Sequence, residues 1–204
     1  MIGSPAKGPP HFKQSNIKPW PNISAVRSFL AFLAGYQSTT DIFTHDLAGE
    51  SEVTTWLIGQ GLGPLAYKRC LETYPALASH LQHDIFSSVA ENSLHWQNLK
   101  QISTQFAEAN MPFVLLKGAA LAESVYGSRE QRTMSDIDLW LKKQDIDRAR
   151  TLMTDGGFRS LEKDDRPPEL QMMADGELLF YHPRRPQSLI EIHLSPFPGW
   201  WLRR

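Results

Sequence analysis

Six residues past the middle of the chain, Asp136-Ile-Asp-Leu-Trp-Leu141, restrict the fold more than any other stretch. Side chains alternate along a strand, so Ile137, Leu139 and Leu141 share one face and Asp136, Asp138 and Trp140 the other. The apolar face must meet a core. The two carboxylates are left together on the opposite face, with Cα atoms about 6.5–7 Å apart. Like charges that close repel unless a proton or a cation lies between them. A divalent ion is the natural occupant, and carboxylate oxygens are the hard ligands that Mg²⁺ takes. Trp140 reads as sheet packing, with stacking on a base as the second reading.

Leu189-Ile-Glu-Ile-His-Leu194 repeats the alternation. Ile190, Ile192 and Leu194 point one way; Leu189, Glu191 and His193 point the other. If this strand lies beside the first, Glu191 brings a third carboxylate to the same place. Three carboxylates can hold two Mg²⁺ about 3.5–4 Å apart, the arrangement used for in-line phosphoryl displacement. His193 reads as a half-buried structural histidine, with orientation of Glu191 or contact with substrate as the second reading.

The opposite charge comes from upstream. Phe113-Val-Leu-Leu116 is a continuous apolar run, as expected of a strand buried on both faces. Lys117-Gly118 turns it into a short helix, expected over Ala119–Tyr126 with Gly127 as its C-terminal cap. Glycine lets a ligand approach the backbone, and a helix start offers unpaired N–H groups. Lys117 can sit beside a phosphate as a point charge. Arg129 and Arg132, in the loop before the acidic strand, are candidates to reach a triphosphate. A Lys-Gly turn or an Asp pair is ordinary alone; the ordered combination is not.

The rest of the chain supplies scaffold. Residues 1–22 carry five prolines with little apolar content and read as a mobile arm, or as a strap docked through Trp20. Apolar periodicity then predicts an all-helical region over 23–109. Its parts are a helix from Ser24 stopped by Gly35, a second around Val53, Trp56 and Leu57, and a third beyond Pro64. A long fourth helix, Pro75–Ala109, carries Leu81, Ile85, Val89, Trp96, Leu99, Ile102 and Phe106 on one face. Cys70 falls on the apolar pattern of the third helix and reads as a small buried side chain. His80, His83 and Asp84 lack further ligands at useful spacing and read as a solvated helix face. After the acidic strand come a helix packed through Ile146, Ala149, Leu152 and Met153, an edge strand Phe158–Leu161, and a strand Leu178–Tyr181. The last strand is joined to it across Pro183–Ser188, and Arg184 and Arg185 read as turn residues.

Bulk properties exclude several classes. The net charge is −1 and the pI about 6.7, which argues against a grip on long nucleic acid. One cysteine in 204 residues allows no internal disulfide. No apolar run approaches the roughly 18–20 residues needed to span a bilayer. The N-terminus has no apolar signal core. These features lead us to expect a soluble cytoplasmic protein with no membrane partner.

Leu115-Leu-Lys-Gly-Ala-Ala-Leu-Ala122, Tyr126, Arg132-Thr-Met-Ser-Asp-Ile-Asp-Leu139 and Gly157-Phe158 together resemble the bacterial uncharacterised nucleotidyltransferase family of the DNA polymerase β-like superfamily. The likeness is close over about 110–160 and looser from about 60. Ile190-Glu-Ile-His193 is similar to the family's later strand. The resemblance implies an α+β fold, with a mixed-sheet nucleotidyltransferase core over 110–204 behind the helical region. It implies Asp136 and Asp138 as catalytic metal ligands for Mg²⁺, and the strand reading adds Glu191 to the set and with it a second ion. It implies an NTP with phosphates near Lys117, Gly118, Ala119 and Arg132, and a hydroxyl acceptor, either a small molecule or a protein. Three departures stand out. Gly118 is followed by Ala119 where the superfamily carries Ser or Gly, the third carboxylate is Glu rather than Asp, and the core is expected to be C-terminally shortened. They keep a second reading in view, a non-catalytic binding module of the same fold that acts as an antitoxin-like or scaffold partner.

Overall fold

A computed structural model of the chain describes residues 29–36, 54–162, 167, 169–170 and 176–195. The Pro-rich arm, Trp20, Val53 and the C-terminal tryptophans lie outside them. Residues 29–33 (α1) and 54–59 (α2) are helical, followed by α3 (Gly63–Cys70) and α4 (Pro75–Glu108). Gly35 ends α1 with a φ of +84°, the left-handed conformation that glycine adopts without steric cost. Prolines sit in the first turns of α3 and α4, where a missing N–H leaves no hydrogen bond unmade. Phe29, Phe32, Leu33, Leu57, Ala66, Cys70, Leu77, Ala78 and Leu81 form one core. Burial pushes the Cys70 thiol up to about 12, in keeping with a packing role. No helix among the described residues is long and apolar enough to cross a membrane.

The second half is a five-stranded mixed sheet in the order β1-β2-β5-β4-β3. Its strands are β1 (Val114–Leu115), β2 (Asp136–Trp140), β3 (Arg159–Leu161), β4 (Glu177–His182) and β5 (Arg185–His193). β2 and β5 run parallel; every other pairing is antiparallel. Helix α5 (Lys117–Ser124) follows β1, and α6 (Ile146–Asp155) connects β2 to β3. The alternation expected of β2 and β5 holds. Ile137, Leu139, Leu141, Ile190 and Ile192 are buried against Leu99, Ile102 and Phe106 of α4 and Ala149 and Met153 of α6. Gly156 caps α6 and Gly157 turns the chain with a φ of +83°.

Four expectations need correction. β1 has two residues, not four, and lies at the sheet edge; Val114 is 47% exposed rather than buried on both faces. Among the described strands it pairs with β2 alone, at one edge of the sheet. Helix α5 begins at Lys117 and ends at Ser124, with Val125 rather than Gly127 as its C-cap. The last two strands form a tight hairpin, because β5 begins at Arg185 and only Pro183 and Arg184 turn. The apolar face expected along α4 also breaks in its middle. Ile85 is half-buried and Val89 is 37% exposed, while Ser88, Asn92, His95 and Asn98 are buried. Positions 81, 88, 92, 95, 99, 102 and 106 keep the helical period, so the buried face continues but changes from apolar to polar.

That difference is measurable. Ile102→Ala empties a fully buried site and is expected to cost about 2–5 kcal/mol in denaturant unfolding. Ile85→Ala, at a half-exposed position, is expected to cost well under that range. Equal losses at both positions would contradict the placement of α4.

Candidate active site

The parallel pairing of β2 with β5 sets Asp138 opposite Glu191 and Trp140 opposite His193. Asp136, one strand repeat before Asp138, faces the same side. Asp138 is the buried member, its side chain 1% exposed. Its Oδ1 accepts from Lys117 Nζ at 2.5 Å and lies 2.7 Å from His193 Nε2. Glu191 Oε2 is 3.6 Å from Lys117 Nζ and 3.4 Å from His193 Nε2. Two basic side chains therefore sit between two acidic ones.

The ionisation equilibria follow from this packing. Burial alone would raise the Asp138 carboxyl, but hydrogen bonds from His193 and Lys117 outweigh it and hold the group below the usual carboxylate range. Burial would likewise lower the His193 imidazole, yet its bonds to Asp138 and Glu191 lift it to about 9. Lys117 shows the same balance, with burial opposed and overcome by Asp138, Glu191 and Asp136. Among the described residues no cation pairs with Asp136. Burial, then Asp138 and Glu191, push its carboxyl up.

Local backbone geometry aims Lys117. Its φ is +45°, a left-handed conformation that costs a non-glycine residue about 1–2 kcal/mol. The preceding Leu116 N–H donates to the Asp138 carbonyl at 3.0 Å, tying this turn to β2 at the residue whose side chain Lys117 meets. Gly118 is buried, and a Cβ there would lie 3.2 Å from Met134 Cγ. A larger residue there would press on the Met134 side chain, so glycine eases the close packing on the loop before β2. Ala119 and Ala122 pack on the same methionine, so Ala119 offers a ligand its backbone and not its side chain. No side chain caps the start of α5.

The two loop arginines lie elsewhere. Arg129 stacks 4.2 Å over the Trp96 ring and pairs with Glu123. Arg132 Nη1 lies 3.8 Å from where a Cβ on Gly61 would stand, and among the described residues no ion pair joins it to the site carboxylates. Arg185 is not a free turn residue either. It donates to Asn98 Oδ1 at 2.5 Å and to Gln101 Oε1 at 2.8 Å. Trp140 Nε1 donates to the Leu194 carbonyl at 3.0 Å, as suits a packing role.

Sequence reading missed the residues that brace this face. Asn92 donates to the carbonyls of Arg129 (3.2 Å) and Arg132 (2.8 Å) and accepts from the Met134 N–H at 3.3 Å. One side chain thereby fixes the loop that delivers Asp136 and Asp138. His95 Nδ1 is 2.9 Å from Ser188 Oγ, and Asn98 donates to the Ser188 carbonyl at 3.4 Å, which fixes the start of the run that carries Glu191. Burial holds the His95 imidazole below its ordinary range, against a bond with the Met134 backbone. The available signal was the helical spacing of Ser88, Asn92 and His95 with Leu81 and Leu99.

Asp138, Glu191 and His193 each offer a ligand atom within 4.8 Å of the others. Asp138 Oδ2 is buried without a hydrogen-bond partner. An orphaned anionic oxygen is costly, and a divalent cation would satisfy it, so this donor set fits a metal. A Lys-Gly helix turn beside a carboxylate pair on a five-stranded mixed sheet is consistent with an α+β protein of the nucleotidyltransferase class. The chain belongs to the uncharacterised nucleotidyltransferase family, whose model matches residues 47–203. The match extends beyond the likeness read from the motifs, into α2 at one end and past β5 at the other. No curated protein and no solved structure matches.

The metal-free site has a signature in stability. A histidine raised from 6.5 to about 9 stabilises the fold fully below pH 6.5, and that contribution is lost as the pH rises through 9. Asp138, depressed, acts in the other direction, and its contribution is lost as the pH falls through the acid range. Melting temperature in EDTA is therefore expected to decline between pH 6.5 and 9, and His193→Gln is expected to flatten that limb. An alkaline limb unchanged by the substitution would contradict the His193–Asp138 pairing.

Proposed function

We propose that the protein transfers a nucleoside monophosphate from an NTP to a hydroxyl acceptor, with Mg²⁺ as cofactor. The acceptor oxygen bonds to the α-phosphorus, the bond from that phosphorus to the bridging oxygen breaks, and pyrophosphate leaves. The observation that carries this reading is the register of β2 on β5, which puts Asp136, Asp138 and Glu191 on one face beside Lys117. Asp136, Asp138 and Glu191 would hold the metal, which when bound neutralises phosphate charge and lowers the pKa of the attacking hydroxyl. Lys117 is 58% exposed along its side chain and can exchange its carboxylate partner for a phosphate oxygen. The uncapped N–H groups of α5 face the same turn and suit an anion. The closeness of Gly118 to Met134 keeps that turn against the acidic strand.

Calorimetric titration of Mg·ATP, Mg·GTP, Mg·CTP and Mg·UTP tests the proposal. At least one is expected to bind the wild type saturably. Binding should be lost in Asp136→Asn/Asp138→Asn, with the circular dichroism spectrum preserved. Undiminished binding by the folded double variant, or no binding by either protein, would overturn the assignment in favour of a non-catalytic module that engages a protein partner.

A further inference from the structure

Reading this face as a metal centre leaves one basic residue unexplained. Lys117 has a role on phosphate. His193 is 12% exposed along its side chain, held on the central strand β5, and points at both Asp138 and Glu191. A histidine that only neutralised the two carboxylates would compete with the ion they are built to hold. One that ligates the ion would not.

We propose that His193 Nε2 is itself a metal ligand, and that the position framed by Asp138, Glu191 and His193 takes a first-row transition-metal dication, Mn²⁺ included, in preference to Mg²⁺. The proposal rests on the reading of this face as a metal centre. Three independent features support it. First, the ligand atoms of the three residues already lie within 4.8 Å of one another, with no rearrangement of the backbone. Second, Glu191 and His193 are two apart on one strand and share its face, as Asp136 and Asp138 do on β2. The Glu-Ile-His pair is a second chelating unit in register with the first. Third, the far side of the ring has the partner that metal-bound imidazoles use. Glu177 pairs with His193 across β4 and β5, and its Oε2 is 3.7 Å from His193 Nδ1. At that separation the carboxylate acts through its charge rather than a direct hydrogen bond, and it favours a proton on Nδ1, which leaves the Nε2 lone pair for the ion.

The proton balance is simple. In the metal-free protein the Nε2 hydrogen is shared with Asp138 Oδ1. When a cation binds, that proton leaves to solvent, the Nδ1 hydrogen stays facing Glu177, and the Nε2 lone pair forms the new bond. Asp138 Oδ2, buried and without a partner, needs no proton to leave before it can ligate. Imidazole nitrogen suits the later first-row ions Fe²⁺, Ni²⁺ and Zn²⁺ best; Mn²⁺ prefers oxygen but accepts an imidazole, whereas Mg²⁺ keeps to oxygen. Asp136 lies outside this trio. Paired with Asp138 it offers oxygen alone, which suits the Mg²⁺ of the proposed reaction. The two positions would then differ in kind.

The test uses Mn²⁺ alone on the full chain. Pulsed electron paramagnetic resonance of Mn²⁺ bound to the wild type is expected to show hyperfine coupling to a directly bound imidazole nitrogen. The coupling should vanish in His193→Gln. Mn²⁺ affinity should fall at least about tenfold in that variant, as even loss of an outer partner of a metal-bound histidine costs about that much. Mg²⁺ affinity should fall by less. Glu177→Gln should weaken Mn²⁺ while keeping the nitrogen coupling. Mn²⁺ that binds the wild type, is lost in Asp138→Asn and shows no nitrogen coupling would overturn the role of His193 while leaving the metal centre intact. Mn²⁺ affinity unaffected by Asp138→Asn, or no Mn²⁺ binding at all, would overturn both.

Discussion

The parallel pairing of β2 with β5 is the contact on which the site depends. It places Asp138 directly opposite Glu191, and like charges at cross-strand positions destabilise a sheet. The pairing is nonetheless at the centre of the sheet, with Ile137, Leu139, Ile190 and Ile192 buried on the reverse side. Apolar burial on one face thus holds together an arrangement that electrostatics on the other face opposes. Lys117 and His193 offset the repulsion in the metal-free protein. The left-handed backbone of Lys117 persists because the Leu116–Asp138 backbone bond and the contact of Gly118 with Met134 fix the turn on either side of it.

Helix α4 transmits rigidity to this face. Its first turns belong to the helical core through Leu77, Ala78 and Leu81, and its last turns to the sheet core through Leu99, Ile102 and Phe106. Between them its buried side chains are polar because their partners are loop and strand-end atoms, not a greasy surface. Buried donors and acceptors are tolerated when satisfied. Asn92 meets three backbone groups of the loop before β2, and Asn98 is flanked by Arg185 and Ser188 at the start of β5. Both acidic strands are therefore anchored to one helix just upstream of their carboxylates. The same helix supports the loop arginine, since Trp96 carries the Arg129 guanidinium.

Strand alternation made the site's residues legible. Asp136, Asp138, Glu191 and His193 could be placed on polar faces because a period of two leaves no other choice once the apolar side is buried. The neighbouring of β2 and β5 could be posed only as a condition, since pairing and register depend on contacts far apart in the chain. Helix periodicity found α4 but misjudged its middle. A hydrophobic pattern has no means of showing that Asn92 or His95 is buried, because their burial is permitted by hydrogen-bond partners some 40 to 90 residues away. The edge position of β1 failed for a related reason. Phe113 and Leu115 do pack on the core, but an apolar run does not say how many neighbours its strand will have. Arg129 and Arg132 illustrate the limit of proximity in sequence, since a loop of a few residues can send a guanidinium away from the strand it precedes.

Exposure separates the two cations that neutralise Asp138. The Lys117 side chain is 58% exposed on a flexible stem, whereas that of His193 is 12% exposed on a central strand. A ligand arriving from solvent meets Lys117 first and can draw it away, because His193 stays in contact with the buried Asp138 carboxylate and keeps it compensated. Moving His193 would require breaking into the sheet and separating it from Glu177. In the proposed reaction, then, the lysine is the mobile partner of Asp138 and the histidine the fixed one. A phosphate that engages Lys117 removes one of the two contacts on Asp138 Oδ1, the other being with His193, at the moment the nucleotide's own charge arrives. The carboxylates become available to a metal when there is a substrate for it to serve, and the imidazole remains where it can take part in holding that metal.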